Sequence, residues 1–348
     1  MAVVRRERLR HGGRVALEMG ALAALYFGSA KLGLIQELVR HQVTPLWPPS
    51  GIAVAGLLIL GLRVWPGIAL GAFLVNVSLG PSPLAVLAIM AGNTLAPVCS
   101  YALLRRAGFR NELDRFRDAL ALIFLGAFTG MLISSTVGTA TLVLSGVQSA
   151  GDFWRTWSVW WTGDAMGVLV VAPFLLVLRS ARRPRGVPSS RWVEALLLVA
   201  ATLGVGVLEA TDAPLLFLGF PLLIWAAFRF QLAGAAPCAL AVSLFAIIAA
   251  AHRSGPFAGH DLLITMITLQ AFNGSAALTA LLLSAVVSER NENQREIARA
   301  CGQLAGMVAK IAAGDHRLLL DCTEDEEEGK GELPAGDPRT QQRPPPQS

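Results

Sequence analysis

One carboxylate stands alone in a long apolar run: Asp164, in Trp160-Trp161-Thr162-Gly163-Asp164-Ala165-Met166-Gly167. Trp157, Trp160, Trp161 and Asp164 fall at i, i+3, i+4 and i+7, one face over two helical turns. A carboxylate inside an apolar segment is expensive unless it is paired or faces a wet cavity. Tryptophan faces beside it can also hold a cation. The chemistry implied is recognition of a polar or cationic ligand; the alternative is an acid satisfied structurally by Arg155, or by Asn76, Asn93 or Gln270 from other segments. A second cluster, Trp47-Pro48-Pro49-Ser50-Gly51, bends the chain before a helix starts, because two prolines fix φ and remove two donors. It reads either as the wall of a binding pocket or as a helix start with an interfacial tryptophan. Asn76, Asn93, Gln270 and Asn273 are amides in apolar runs, where glue between helices competes with ligand contact. The run Ser134-Ser135-Thr136 with Gly138 and Thr139 reads as tight packing.

Other chemistries find no support. His41, His252 and His260, with Glu37 and Asp261, have no ligand spacing for a metal. The four cysteines include no C-x-x-C pair. Phosphate-loop, zinc-protease, nucleophile-elbow and kinase motifs are missing from the sequence. No catalytic residue, metal or cofactor is expected.

The elements that must position these residues are set by composition. The chain has 348 residues, 54% hydrophobic and only 15% charged, against about 25% charged in an ordinary soluble domain. That excludes a Rossmann-type enzyme, a nucleic-acid-binding module and a secreted disulfide scaffold. The expected fold is all-α, a polytopic transmembrane helical bundle. Apolar segments fall at about 15–36, 48–62, 64–80, 84–104, 119–145, 157–178, 192–209, 214–228, 233–251 and 262–288. The second, third and eighth are short or broken by Gly and Pro, so ten membrane segments are expected, with eight full spans as the alternative.

Arginine placement orients the bundle. With the N-terminus inside and ten segments alternating, the clusters Arg105–Arg117 and Arg179–Arg191 fall on the cytoplasmic side, as do Arg63, Arg229 and the tail from Arg290. Both termini are then cytoplasmic, and Trp47 and Asp164 lie toward the outer face, Asp164 about 10 Å below it at 1.5 Å per residue. The basic start, Arg5-Arg6-x-Arg8-x-Arg10, imitates a signal peptide but reads as the flank of an uncleaved first helix. The arginine turns at Gly61-Leu62-Arg63 and Phe228-Arg229-Phe230 echo one another between short segments, a pattern found in transporter repeats. Four regions follow: a cytoplasmic arm (1–11), an integral membrane domain (12–290), a helical linker (291–313) and a disordered acidic and Pro-rich tail (314–348). Within the linker Ile297, Ala300, Leu304, Met307 and Ile311 give two heptads.

Several motifs resemble the bacterial membrane-associated sensor domain of the first type, MASE type one. They are Leu46-Trp47-Pro48-Pro49-Ser50-Gly51, Leu60-Gly61-Leu62-Arg63-Val64-Trp65-Pro66-Gly67 with Leu70-Gly71-Ala72-Phe73, and Gly92-Asn93. Trp161-x-Gly163-Asp164-Ala165-x-Gly167 running to Pro173, Arg229-Phe230, Gly255-Pro256-Phe257 and Leu283-Ser284-Ala285-Val286-x-Ser288-Glu289-Arg290 continue the set. The resemblance covers about residues 12–290. It implies a non-enzymatic sensory input module of the bacterial plasma (inner) membrane, usually fused to a histidine kinase, a diguanylate cyclase, a cyclic-di-GMP phosphodiesterase or a phosphatase. Residues 291–348 are too few for such a domain, so a separate output protein or membrane partner is expected, with membrane lipid and a homodimer as further contacts and no nucleic acid. The expected ligand site is Trp47, Pro48, Pro49, Ser50, Asn76, Asn93, Trp160, Trp161, Asp164 and Gln270; Ser288, Glu289 and Arg290 are expected to transmit the signal. The competing functional reading is a small-molecule permease, and a scaffold that recruits a kinase or cyclase through residues 289–313 is a third.

Overall fold

The computed structural model describes residues 2–35, 45–79, 82–180, 188–209, 216–259 and 262–312. Every regular element among them is helical. In order they are α1 (Ala2–Ile35), α2 (Pro48–Leu60), α3 (Trp65–Leu79), α4 (Pro83–Arg106), α5 (Phe116–Ala121), α6 (Leu132–Leu144), α7 (Phe153–Met166) and α8 (Ala172–Ser180). Then come α9 (Ser189–Glu209), α10 (Gly219–Phe230), α11 (Leu232–Ala251) and α12 (Leu262–Ala312). Wide π-helical stretches, Leu122–Thr129 and Gly167–Val171, join α5 toward α6 and α7 to α8.

Eight helical segments among the described residues are long and apolar enough to cross a bilayer, and two apolar helices, Pro48–Leu60 and Leu216–Phe230, are shorter. In their described residues all ten expected segments are therefore helical. The third segment, expected to be short, is long enough at 18 residues (Leu62–Leu79). The chain divides into two compact units, Met1–Arg290 and Asn291–Ser348. In the second, Ile297, Leu304 and Met307 are exposed on a helix; the acidic and Pro-rich tail lies outside the described residues.

Burial explains why α2 is short. Residues Pro49 to Leu58 are all buried, and a helix that is apolar all round belongs inside a bundle. Val54, Ala55 and Leu58 join the larger core, with Leu104, Leu122, Leu169 and Leu223. Ile52, Ala53 and Leu57 join a smaller one with Leu22, Tyr26 and Ile68. At the other extreme, α9 exposes Trp192, Leu196, Val199, Leu203 and Val207, the surface lipid covers in a bilayer.

Glycines set the closest approaches. A Cβ on Gly51 would lie 2.1 Å from the Gly167 carbonyl oxygen, and one on Gly167 would lie 2.0 Å from the Trp47 oxygen. Gly67 and Gly71, four residues apart on α3, meet α1 at Met19 and Tyr26 in the same way, the small-xxx-small contact of membrane helices.

Without water in a bilayer, freed backbone groups need internal partners. In the first π stretch, where the Gly130 N–H reaches back to the Leu125 oxygen, Ser100 Oγ donates to the Gly126 oxygen at 2.7 Å and Trp161 Nε1 to that of Phe128 at 2.8 Å. The C-terminal end of α2 is closed likewise: Arg105 Nη2 and Asn111 Nδ2 both donate to the Leu58 oxygen, at 3.2 and 3.0 Å.

The two arginine turns behave alike. Each stands at the end of a short helix that is succeeded by a positive φ, at Gly61 (87°) just before Arg63 and at Gln231 (53°) just after the last turn of α10, which carries Arg229. Arg63 donates to Glu18 on α1 at 2.9 Å, and Arg229 makes a two-pronged pair with Glu194 on α9, one contact at 2.7 Å.

Alanine at Gly51 or Gly167 would press a methyl against backbone that cannot rotate away. We expect either substitution to lower stability by roughly 1–3 kcal/mol, the usual range for overpacking, read as a fall in the thermal unfolding midpoint in detergent. Gly204→Ala meets nothing within 4 Å and should leave the midpoint unchanged or raised.

Candidate functional site

Asp164 is 1% exposed. Its position follows from α7, whose last turn is driven against the N-terminal end of α2 by the Gly51–Gly167 contact. The backbone N–H of Trp47 donates to the Gly163 oxygen at 3.0 Å, so chain register at this crossing is set by a hydrogen bond as well as by shape. Ser50 Oγ then donates to Asp164 Oδ1 at 2.5 Å, and Ser134 Oγ of α6 donates to Oδ2. The Trp160 side chain hydrogen-bonds the same carboxylate; indole can only donate. Both oxygens are thus engaged by donors from α2, α6 and α7. Among the described residues no arginine supplies the balance: the donors are neutral, and the burial of the acid rests on dipoles.

Trp160 reaches the acid because Gly138 leaves room: a Cβ there would lie 2.5 Å from the indole. The neighbouring tryptophans do something different. Trp157 and Trp161 stack with ring centroids 5.8 Å apart and planes 13° from parallel. Trp161 also meets Phe128 at 5.4 Å, while Trp157 Nε1 donates to Thr136 Oγ1 at 3.0 Å. The tryptophan face predicted from spacing therefore divides, with Trp160 at the carboxylate and Trp161 holding the π stretch.

Next to this group Tyr26 of α1 is 1% exposed, and its side chain hydrogen-bonds those of Trp47 and Asn93. Trp47 and Asn93 thus meet through a residue the sequence reading did not single out. Pro48 is half-buried and Pro49 buried at the start of α2. Asn76 turns away from the acid and donates to the Ala72 oxygen of its own helix at 2.8 Å. Gln270 Nε2 donates to the Pro45 oxygen at 3.0 Å, holding the segment before α2 rather than Asp164. Of the amides expected as partners of the acid, Asn76 and Gln270 therefore serve other groups. At the far end of α12's membrane part Ser288 is half-buried and Arg290 exposed, while Glu289 Oε2 accepts from the Phe116 N–H at 3.3 Å.

Among the described residues no group of three His, Cys, Asp or Glu side chains is placed to hold a metal ion. His252 is exposed; His41, His260, Glu37 and Asp261 lie outside the described residues.

Eight membrane-length apolar helices among the described residues define a multi-pass membrane protein. A model of the MASE1 family, the membrane-associated sensor domains of type one, matches residues 19–291, and the chain belongs to that family. It is thus a membrane sensor module of a family whose domains receive signals rather than catalyse reactions. No curated protein matches it, and no solved structure does.

The hydrogen-bond pattern makes Asp164→Asn and Asp164→Leu diverge. The amide keeps an acceptor for one serine and donates to the other, so its midpoint should stay within about 1 kcal/mol of the parent. Leucine strands the Ser50 hydroxyl and the Trp160 indole N–H, at about 1–3 kcal/mol for each group left unpaired, while Ser134 falls back on the Met131 oxygen of its own helix. Thermal unfolding of the two variants side by side checks this; leucine as stable as asparagine would contradict the geometry.

Proposed function

We propose that this domain is the sensory input module of a bacterial signalling system of the two-component or cyclic-di-GMP type, and that its stimulus acts at the Asp164 cluster. The observation that carries the reading is the carboxylate itself: one acid, closed off from solvent, tied to α2, α6 and α7 by neutral donors, in a family of sensor domains. A polar or cationic ligand that competes with Ser50, Ser134 or Trp160 for the carboxylate changes how these three helices are joined. Its effect on the equilibrium is limited to its differential affinity for the two arrangements. Trp47, Pro48, Pro49 and Asn93 wall the site, Trp161 supports it, and Asn76 and Gln270 complete the set without bonding the acid.

The module lies in the inner membrane with both termini cytoplasmic, as the arginine clusters favour. The signal leaves through α12 at Ser288, Glu289 and Arg290, where Glu289 touches the start of α5. Its partners are lipid, a signalling output protein and a second copy of the chain. The domain itself carries no catalytic role. A permease is the second reading, favoured by the paired turns Arg63–Glu18 and Arg229–Glu194 beside two short helices.

Fusing residues 1–312 to a diguanylate cyclase tests the sensor. Asp164→Asn and Trp161→Ala should each shift cyclase output several-fold from the parent chimera, with Gly204→Ala matching it. Output identical across all four chimeras under every condition would sink the sensory role of this site. Solute uptake by vesicles carrying this chain alone would instead favour the permease.

A further inference from the structure

Helix α12 carries Gln270 and Asn273, three residues apart and so on one face. Gln270 spends its Nε2 on the Pro45 oxygen, which leaves its Oε1 buried with no hydrogen-bond partner. Asn273 is 0% exposed, and among the described residues neither its Nδ2 nor its Oδ1 has a partner. This differs from Asn76, whose amide turns back onto its own helix. Buried neighbours along α12, Leu269, Ala276 and Ala277, are apolar, and Met166 of α7 lies against the next residue, its Cε 3.7 Å from a Cβ built on Gly274. An unpaired buried polar group costs about 1–3 kcal/mol, and folded proteins keep few of them. Here one donor group and two acceptors share a helix face without answering one another.

We infer that the Gln270–Asn273 face is a binding site for a small uncharged hydroxyl group. A hydroxyl gives its hydrogen to Oδ1 or Oε1 and accepts from Nδ2 with the same oxygen, so it answers both needs of the amides. A bare cation would leave Nδ2 unanswered, and an anion would face two amide oxygens. Two sources supply this chemistry: an ordered water, which in protein interiors makes about three such bonds, or the hydroxyl of a polyol-like solute. The face borders the Asp164 cluster through Met166 and Pro45 but shares no hydrogen bond with the acid, and it lies on the helix that carries the Glu289 contact with α5.

The test uses the whole chain in lipid nanodiscs. Met166 is only 5% exposed, so hydroxyl radicals made in bulk solvent do not reach it, whereas X-ray radiolysis of a water held beside it oxidises the thioether. With water as the occupant, mass spectrometry should find Met166 sulfoxide in the parent and several-fold less in Asn273→Leu. With a solute hydroxyl as the occupant, millimolar glycerol should raise the unfolding midpoint of the parent and not that of Asn273→Leu. Gln270→Met keeps the side-chain length but removes Oε1, and it serves as the second variant should Asn273→Leu fail to fold; it should weaken whichever readout the parent shows. Met166 oxidation and glycerol response both equal in parent and variants would overturn the site. Neither readout passes through Asp164 or a signalling output, so this inference and the proposed function fail separately.

Discussion

The backbone-to-backbone contact between the start of α2 and the end of α7 is the constraint on which the rest of this domain depends. Gly51 and Gly167 let two helices approach until carbonyl oxygens fill the space where side chains would stand. Only at that separation can the Trp47 N–H reach the Gly163 oxygen, and only then does Ser50 arrive at Asp164. The acid did not choose its partners by charge. It lies where glycine permits a crossing, and the hydroxyls that happen to fit there make its burial tolerable.

A second constraint acts through the whole bundle: in hydrocarbon every backbone group must find a partner within the protein. The regular helices satisfy it by themselves, and the irregular stretches borrow side chains. Ser100 and Trp161 take the carbonyls of the π stretch at 122–129, and Arg105 with Asn111 closes the end of α2. The second π stretch precedes Pro173, which has no N–H to give back to the turn before it. Six of the polar residues in these apolar segments and their turns divide between two tasks. Ser100, Asn111 and Trp161 mend the backbone, while Ser50, Ser134 and Trp160 face the acid.

How much of this was legible in the sequence follows from that division. The helical bundle and its ten apolar segments could be read directly, because long apolar runs broken by arginine have few other folds open to them. The burial of Asp164 among polar partners was legible as well, since a lone acid in such a run is too costly to leave unpaired. Trp47 to Gly51 stood out through its two prolines. Ser134 did not, because a serine in an apolar helix can satisfy itself on its own backbone, and nothing in its surroundings separates that case from a contact across the bundle. Tyr26 stayed hidden for a related reason, as a tyrosine ring fits a core wherever its hydroxyl finds one partner. Spacing alone also joined Trp160 and Trp161 on one face; small residues such as Gly138, which decide how far an indole can advance, are what parted them.

The short helix α2 is better understood as the axle of the fold than as a failed membrane span. Lipid offers nothing to a helix that is covered on every side, so α2 needs only the length over which neighbours enclose it, and at 13 residues it is that long. Its two ends are held by different chemistry. The first turn is fixed by glycine contacts and the serine–aspartate bond, and the last by an arginine and an asparagine on one carbonyl. Because both cores share α2, a displacement at its first turn cannot be absorbed locally by one of them; close-packed interiors transmit such strain rather than dissipate it. Asp164 sits at the end where that displacement would begin, and it is bonded to α2 and α6 at once, so any change in the crossing of those helices must break or remake a bond to the acid.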